Sequence, residues 1–398
     1  MSRFRMYPTA AQNAALLEHC KHARFVWNLA LEQWSMWTRD KASTPGYVEQ
    51  CRQLTDARAT FAWLRAGSTM VQQQALRDLD QAIRNFYTGS HRRPTWRKTG
   101  RHEGFRVVGP QASRIVKLNR KWAIVLVPKV GWVRFRLSRP VPEAKSYRVT
   151  KDRAGRWHLA FAVVPPPIPA PGTSEVAGLD RGVTVSAALS TGELLLCPGL
   201  SEREEARLKH LQRRLARCHR GSSRRRRTKT AIAKLHARAG DRRKDWVEKT
   251  STELARRFDV IRIEDLRVGQ MVRRPQPKPD PERSGKYLPN RRRAKAGLNR
   301  GILTNGWGVL IRRLEHKALG RVEKVNPAYT SQTCSVCGHC APENRESQAV
   351  FRCVACGYRA NADVNAAVNI AAGRAVSARR ETPAWISLKR EPQLATSA

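Results

Sequence analysis

Acidic residues are scarce in this chain: 398 residues carry 32 Asp and Glu against 76 Lys and Arg, a formal charge of +44. An excess of that size is too widespread for one solvated face and implies a polyanionic partner. Long apolar runs are missing as well. None approaches the roughly 18 residues of a membrane span, and Met1-Ser-Arg-Phe-Arg-Met lacks the apolar core of a signal peptide. Of nine cysteines, five (Cys20, Cys51, Cys197, Cys218 and Cys340) are scattered without pattern. An odd, irregular remainder argues against a disulfide framework and for a reducing, cytoplasmic setting. No internal repeat is visible. The length suffices for two or three domains.

The other four cysteines are ordered. Cys334-Ser-Val-Cys337-Gly338 and Cys353-Val-Ala-Cys356-Gly357 form two pairs with fifteen residues between Cys337 and Cys353. Four thiolates at this spacing close one tetrahedral structural Zn²⁺ site. Each pair ends in Gly, which lets the chain turn tightly under the metal. His339 and Cys340 lie alongside as alternative ligands; the symmetric four-cysteine set is the simpler reading.

Thr9 and Gln12 predict a capped helix start, and Leu16, Cys20, Ala23, Trp27, Ala30, Leu31 and Trp34 recur at helical spacing. Residues 9 to about 90 therefore read as helical, with a second helix from Met70 to Tyr87. Residues 88–103 are turn-rich and basic, and Arg92, Arg93, Arg97 and Lys98 are candidates for contact with a nucleic-acid backbone. From 105 to 164 the pattern is that of strands, with a hairpin turn at Lys151–Arg156. Pro165-Pro-Pro-Ile-Pro-Ala-Pro171 is a stiff boundary. Beyond it come strands at Val176–Asp180, Val183–Leu189 and Glu193–Cys197, then a helix capped by Ser201 and Glu204. A basic tip carries Arg224 and Arg225. After another helix, Val260–Glu264 is a strand. Residues 272–300 are Pro- and Arg-rich and read as a mobile basic loop containing Arg291 and Arg292. A helix at Trp307–Ala318, a strand at Arg321–Val325, the cysteine ribbon and a helix from Asp363 to about Ala372 follow. The tail from Val376 reads as disordered.

Three acids stand out because acids are rare. Asp180 and Glu264 each end a strand, and Asp363 begins the last helix. Carboxylates from the ends of separate elements can converge in an α/β fold. Convergent carboxylates repel unless cations sit among them, and hard oxygen ligands suit Mg²⁺ or Mn²⁺. Two such ions would activate a water and stabilise the leaving oxygen of a phosphodiester. Asp265 is an alternative to Glu264, and Asp363 could instead be a helix cap.

In order, Gly178-Leu-Asp180-Arg-Gly182-Val, Ile263-Glu264-Asp-Leu266, the cysteine ribbon and Asp363-Val-Asn365-Ala-Ala-Val-Asn369-Ile resemble the split nuclease motifs of TnpB. TnpB is the transposon-encoded, RNA-guided nuclease family regarded as ancestral to type V CRISPR effectors. Ala82-Ile-Arg-Asn-Phe86, Gly306–Ala318 and Pro327–His339 resemble further family segments, so the likeness spans about residues 1–372. It implies an α/β and β multidomain fold. A RuvC-like, RNase H-type nuclease domain (175–330, completed by 359–375) would carry an inserted zinc ribbon (331–358). A helical recognition domain (9–103) and a wedge-like β-domain (1–8 with 104–170) would precede it. The resemblance implies Asp180, Glu264 and Asp363 as ligands of two Mg²⁺ or Mn²⁺ ions. It implies a guide RNA from the transposon end and double-stranded target DNA as partners, with a monomer on one RNA and no membrane. The chain is then expected in the bacterial cytoplasm, at the nucleoid when on DNA. The diffuse charge suits guided recognition, in which protein holds backbone and pairing reads sequence. A binding-only RNA-guided repressor or transposition regulator is the competing class, and the intact acid triad weighs against it. A compact type V CRISPR effector shares the same motifs.

Overall fold

The computed structural model describes residues 2–36, 44–143, 145–283 and 285–373; the tail expected to be disordered lies outside these. The chain forms two compact units, 1–164 with 201–237, and 165–200 with 238–398.

In the first unit, strand β1 (Ser2–Met6) leads into helix α1 (Ala10–Ser35), followed by α2 (Tyr47–Thr60), α3 (Ala62–Ala66) and α4 (Thr69–Tyr87). The capping box forms: Thr9 Oγ accepts from the Gln12 backbone N–H while Gln12 Oε1 accepts from that of Thr9. Strands β2 (Glu103–Val108), β3 (Ile115–Lys117), β4 (Trp122–Val127), β5 (Gly131–Arg136), β6 (Ser146–Lys151) and β7 (Trp157–Phe161) complete a seven-stranded sheet. Its order is β2-β6-β7-β1-β5-β4-β3, every pair antiparallel. Alternation sends Phe105 and Val107 of β2, Val133 and Phe135 of β5 and Val149 of β6 inward. They share one core with Leu16, Cys20, Ala23 and Trp27 of α1 and Leu79 of α4. Helices and sheet here are therefore one packed body. Two basic helices, α5 (Glu202–Arg217) and the first part of α6 (Ser223–Arg257), also belong to this unit. The expected Ser201–Glu204 capping box starts α5.

The second unit is built on β8 (Val176–Asp180), β9 (Ala187–Leu189), β10 (Leu194–Leu195), β11 (Val260–Glu264) and, beyond α7 (Val268–Met271), β14 (Val322–Val325). The sheet order is β10-β9-β8-β11-β14. Strands β8, β11 and β14 run parallel, while β9 and β10 return antiparallel. Ala177, Leu179, Ile261 and Ile263 pack on the second part of α6 (Val247, Leu254) and on α9 (Trp307–Lys317) through Leu310 and Leu314. The segment 272–300 is more ordered than its composition predicts. It holds a short antiparallel ribbon, β12 (Lys278–Pro279) with β13 (Tyr287–Leu288), and then enters α8 (Arg292–Thr304). A small ribbon, β15 (Val350–Arg352) with β16 (Arg359–Asn361), and the helix α10 (Ala362–Ala371) close the unit. Among the described residues no helix is long and apolar enough to cross a membrane.

The first unit also buries His19 and His22 on α1, each with an Nδ1 that meets no partner. Burial first, then neighbouring positive groups, holds both imidazoles below their usual value. The unfolded chain thus takes up protons before the folded one, and stability should fall as pH drops below about 6.5, by at most ~1.4 kcal/mol per pH unit per histidine. Urea melts between pH 7 and 5 should show this slope, and a His19→Gln, His22→Gln variant should make it shallower, leaving the share of His158, which burial holds down to about 4.

Candidate active site and metal centre

Register brings the first two acids together. Leu179 of β8 pairs with Ile263 of β11, so Asp180 and Glu264, one residue on, end adjacent parallel strands side by side. Leu179 and Ile263 point into the core, so the acids face the opposite side of the sheet. On that face lies α10. Gly178 permits its approach, because a Cβ there would stand 1.9 Å from the Ala367 carbonyl oxygen. Arg262, on the same face of β11, donates to the Ala371 carbonyl at 2.6 Å and so caps the far end of α10. Asn361 caps the near end, accepting from the N–H groups of Asp363 (3.0 Å) and Val364 (3.2 Å). Asp363 is consequently not the cap. It sits in the first turn, and a Cβ on Gly182 would lie 3.7 Å from its Oδ2.

Asp180 feels both of the other carboxylates. Burial, then the charges of Glu264 and Asp363, push Asp180 up to about 7. Burial likewise raises Glu264 and Asp363. Glu264 is 8% exposed and accepts from Thr330 Oγ at 2.9 Å, while the Arg181 guanidinium donates to its backbone carbonyl. Asp265 is exposed, its backbone N–H bound to the Val325 carbonyl, which leaves Glu264 as the inward acid. Arg345 was not anticipated from sequence. Its Nη2 lies 3.7 Å from Asp363 Oδ1, the one cation in ion-pair contact with the trio among the described residues. One Arg among 76 basic residues carries no sequence signal. Raised carboxyl groups with spare oxygens are the donor set that a hard divalent cation satisfies.

The four cysteines do converge. Their sulfurs all lie within 4.8 Å of one another, with Cys334 and Cys356 3.7 Å apart and Cys337 and Cys353 3.5 Å apart. A tetrahedral ion with Zn–S near 2.3 Å needs sulfur separations of about 3.8 Å, so the set fits one such ion. The two halves repeat one turn. Gly338 N–H donates to the Cys334 carbonyl and Gly357 N–H to that of Cys353, both at 3.0 Å, with φ of 77° and 74° at the glycines. His339 and Cys340 stand outside the set: the His339 carbonyl accepts from Cys334 N–H, and Cys340 bridges to Thr333. Asn365 and Asn369, one turn apart on α10, join ribbon to helix. Asn365 donates to the Thr333 carbonyl (2.8 Å) and accepts from Ser335 N–H (3.0 Å). Asn369 donates to the Thr330 and Thr333 carbonyls at 3.0 and 2.7 Å. Ala362 packs with Cys334, Phe351 and Cys353.

The eight basic candidates divide. Arg92, Arg93, Lys98 and Arg224 of the first unit are exposed, as are Arg291 and Arg292 of the second. Two spend their guanidinium groups internally. Arg97 lies 3.7 Å from the centre of the Trp27 ring, and burial pulls it down to about 10. Arg225 donates to the Leu215 and Cys218 carbonyls and so closes the end of α5. Composition cannot distinguish a capping arginine from a free one.

Residues 2–41 match a family model described as "Helix-turn-helix domain", 146–274 one described as "Probable transposase" (OrfB, IS605), and 307–370 a "Cas12f1-like, TNB domain". The chain is 34% identical over 98% of its length to Escherichia coli (strain K12) "Putative RNA-guided DNA endonuclease InsQ", covering 96% of that protein. The chain belongs to the TnpB (OrfB, IS605) family. A relative from Streptomyces pristinaespiralis, "Putative RNA-guided DNA endonuclease", is 32% identical over 99% of this chain and 96% of its own. A cryo-EM structure of a Cas12f1–sgRNA–target DNA complex shares the fold at 13% identity, with a TM-score of 0.51 over 89% of this chain and 81% of that one. This TnpB-family chain combines α-helical and β-sheet regions over most of its length.

Substitution at Gly178 tests the packing directly. Gly178→Ala drives a Cβ into backbone, so α10 must shift. The variant should lose on the order of 1–3 kcal/mol in denaturant melts.

Proposed function

We propose that this chain is an RNA-guided DNA endonuclease whose Asp180, Glu264 and Asp363 hold divalent cations at a phosphodiester-cutting site. The observation that carries the reading is the approach of Asp180, Glu264 and Asp363 to one another, with Asp180 raised to about 7 by burial and by the charges of the other two, in a chain of +44 charge. The sheet order, with a parallel β8–β11 pair bearing acids at its ends, supports a RuvC-like, RNase H-type domain. Bound there, Mg²⁺ or Mn²⁺ would supply a nucleophilic water and Lewis-acid stabilisation of the leaving oxygen. The chain's own groups hold the geometry. Thr330 and Arg181 fix Glu264 from two sides, and the Asn361 cap fixes Asp363. Arg345 is placed to meet the extra negative charge of a phosphate that enters beside Asp363.

The four cysteines hold Zn²⁺ in this reading, and the ion sets the position of Asp363 through Ala362, Asn365 and Asn369. The cationic surfaces hold a guide RNA from the transposon end and the DNA that pairs with it, next to a short transposon-associated motif. Pairing then reads sequence while protein holds backbone. The reading takes the working particle as one chain on one RNA.

Asp180→Ala should bring plasmid cutting to background while guided DNA binding persists, because ligation is lost and the cationic surfaces are not. Removing Mg²⁺ with a chelator should act alike. Arg345→Ala should slow cutting about a hundredfold with little change in binding. Cutting by Asp180→Ala at the wild-type rate would sink the catalytic assignment. Replacing the guide segment should redirect cutting to the matching target; an unchanged target would overturn the RNA-guided reading.

Metal analysis of the purified protein should find one zinc per chain. Cys353→Ser should lose it and much of the activity, since structural zinc contributes on the order of 10 kcal/mol to folding in small fingers. Zinc-free wild type would contradict the ribbon assignment.

A further inference from the structure

The first unit displays a strip of aromatic and cationic side chains for which the acid site gives no use. The segment after α4 has no regular structure from His91 to Arg97, yet it is pinned along α1. Trp27 Nε1 donates to the Thr95 carbonyl at 3.1 Å. Asn28 takes both polar groups of the Arg97 backbone, donating to its carbonyl at 3.1 Å and accepting from its N–H at 2.8 Å. The Arg97 guanidinium lies on the Trp27 ring. Two helical turns further on, Arg93 covers the Trp34 ring at 5.0 Å, and Trp34 meets Phe86 and Tyr87 edge-on at 6.2 and 6.3 Å. The segment thus runs back along about 10 Å of α1.

With the Thr95 carbonyl and the Arg97 side chain tied to α1, Trp96 lies outward and is 51% exposed. Tyr87 is 71% exposed. Arg92 and Arg93 lie between them in sequence and Lys98 follows Arg97; all three are exposed, Arg93 while it covers Trp34. A large exposed ring is costly in water, and here two of them are interleaved with cations on a backbone fixed beforehand. That combination suits bases stacked on π-faces with phosphates beside them. A duplex hides its base faces, so the ligand has to be unpaired. During guided cutting, the strand left unpaired along the target is the displaced DNA strand, because the guide pairs with the other.

We infer that Trp96 and Tyr87, flanked by Arg92 and Arg93, form a stacking strip for the displaced DNA strand. The inference rests on the RNA-guided reading above. The strip stabilises the opened state of the target and takes no part in phosphodiester cleavage.

The test uses the full chain loaded with its guide RNA. Binding of a twelve-nucleotide oligothymidine should weaken about tenfold in Trp96→Ala and again in Tyr87→Ala. Trp96→Phe, which keeps a ring, should recover most of the loss. Cutting of an intact duplex target should slow about tenfold in Trp96→Ala. A target already opened by a mismatched bubble should be cut at the wild-type rate, because its strand needs no holding. Photo-crosslinks from position 96 should fall on displaced-strand thymines. Thermal melts matching wild type exclude misfolding, and Trp96→Phe supplies the same comparison if the Ala variant is unstable. Unchanged oligothymidine binding, no rescue by the bubble, or crosslinks confined to guide RNA would each overturn the inference. Failure of the wild type to cut any guided target would instead remove the nuclease reading on which it stands.

Discussion

The repulsion among Asp180, Glu264 and Asp363 is the constraint around which the second unit is arranged. Parallel pairing of β8 with β11 leaves the first two carboxylates no separation to retreat to. Burial removes the water that would screen them. Protein alone relieves little of this. Thr330 gives Glu264 one hydrogen bond, and Arg181 and Arg345 offset the charge only in part, since Asp180 still rises to about 7. A fold that sets three carboxylates together with only Arg181 and Arg345 beside them leaves a demand for positive charge. On the function proposed above, divalent cations meet that demand.

The third acid is held differently from the other two. Its place depends on α10, and α10 is clamped at four points: backbone against Gly178, Arg262 at its end, and the Asn365 and Asn369 amides to the chain entering the ribbon. These are contacts to backbone atoms, so they fix the helix with little side-chain freedom. The ribbon and the three acids are thus one mechanical piece, joined through the segment Thr330–Ser335.

Much of this was legible in sequence because it rests on local or strictly spaced signals. The strand Val260–Glu264 begins and ends where its apolar pattern says, and the caps at Thr9 and Ser201 form as the residue types require. The cysteines meet because their spacing leaves few alternatives. What was not legible depends on distant chain. Arg345 lies eighteen positions before the acid it approaches, without a pattern to mark it. Arg97 and Arg225 look like solvent-facing cations until Trp27 and the end of α5 are in place. The segment 272–300 lacks the apolar content that announces structure, yet β12, β13 and the start of α8 form there. The single core of the first unit was hidden because helical and strand patterns read as separate bodies when each is scanned alone.

The place of β1 within its sheet has a consequence in time. Met6 pairs with Phe135 and Trp157, so the strand at Ser2–Met6 is made about 130 residues before its first partner. At ribosomal speeds of ~5–20 residues per second, that wait is on the order of ten seconds. Throughout it, Phe4 and Met6, which end up almost wholly buried, lack the β5 and β7 strands that flank them in the finished sheet. The nascent chain therefore carries an open, apolar strand for most of the synthesis of its first unit. The yield of folded protein is set by what that strand meets while it waits.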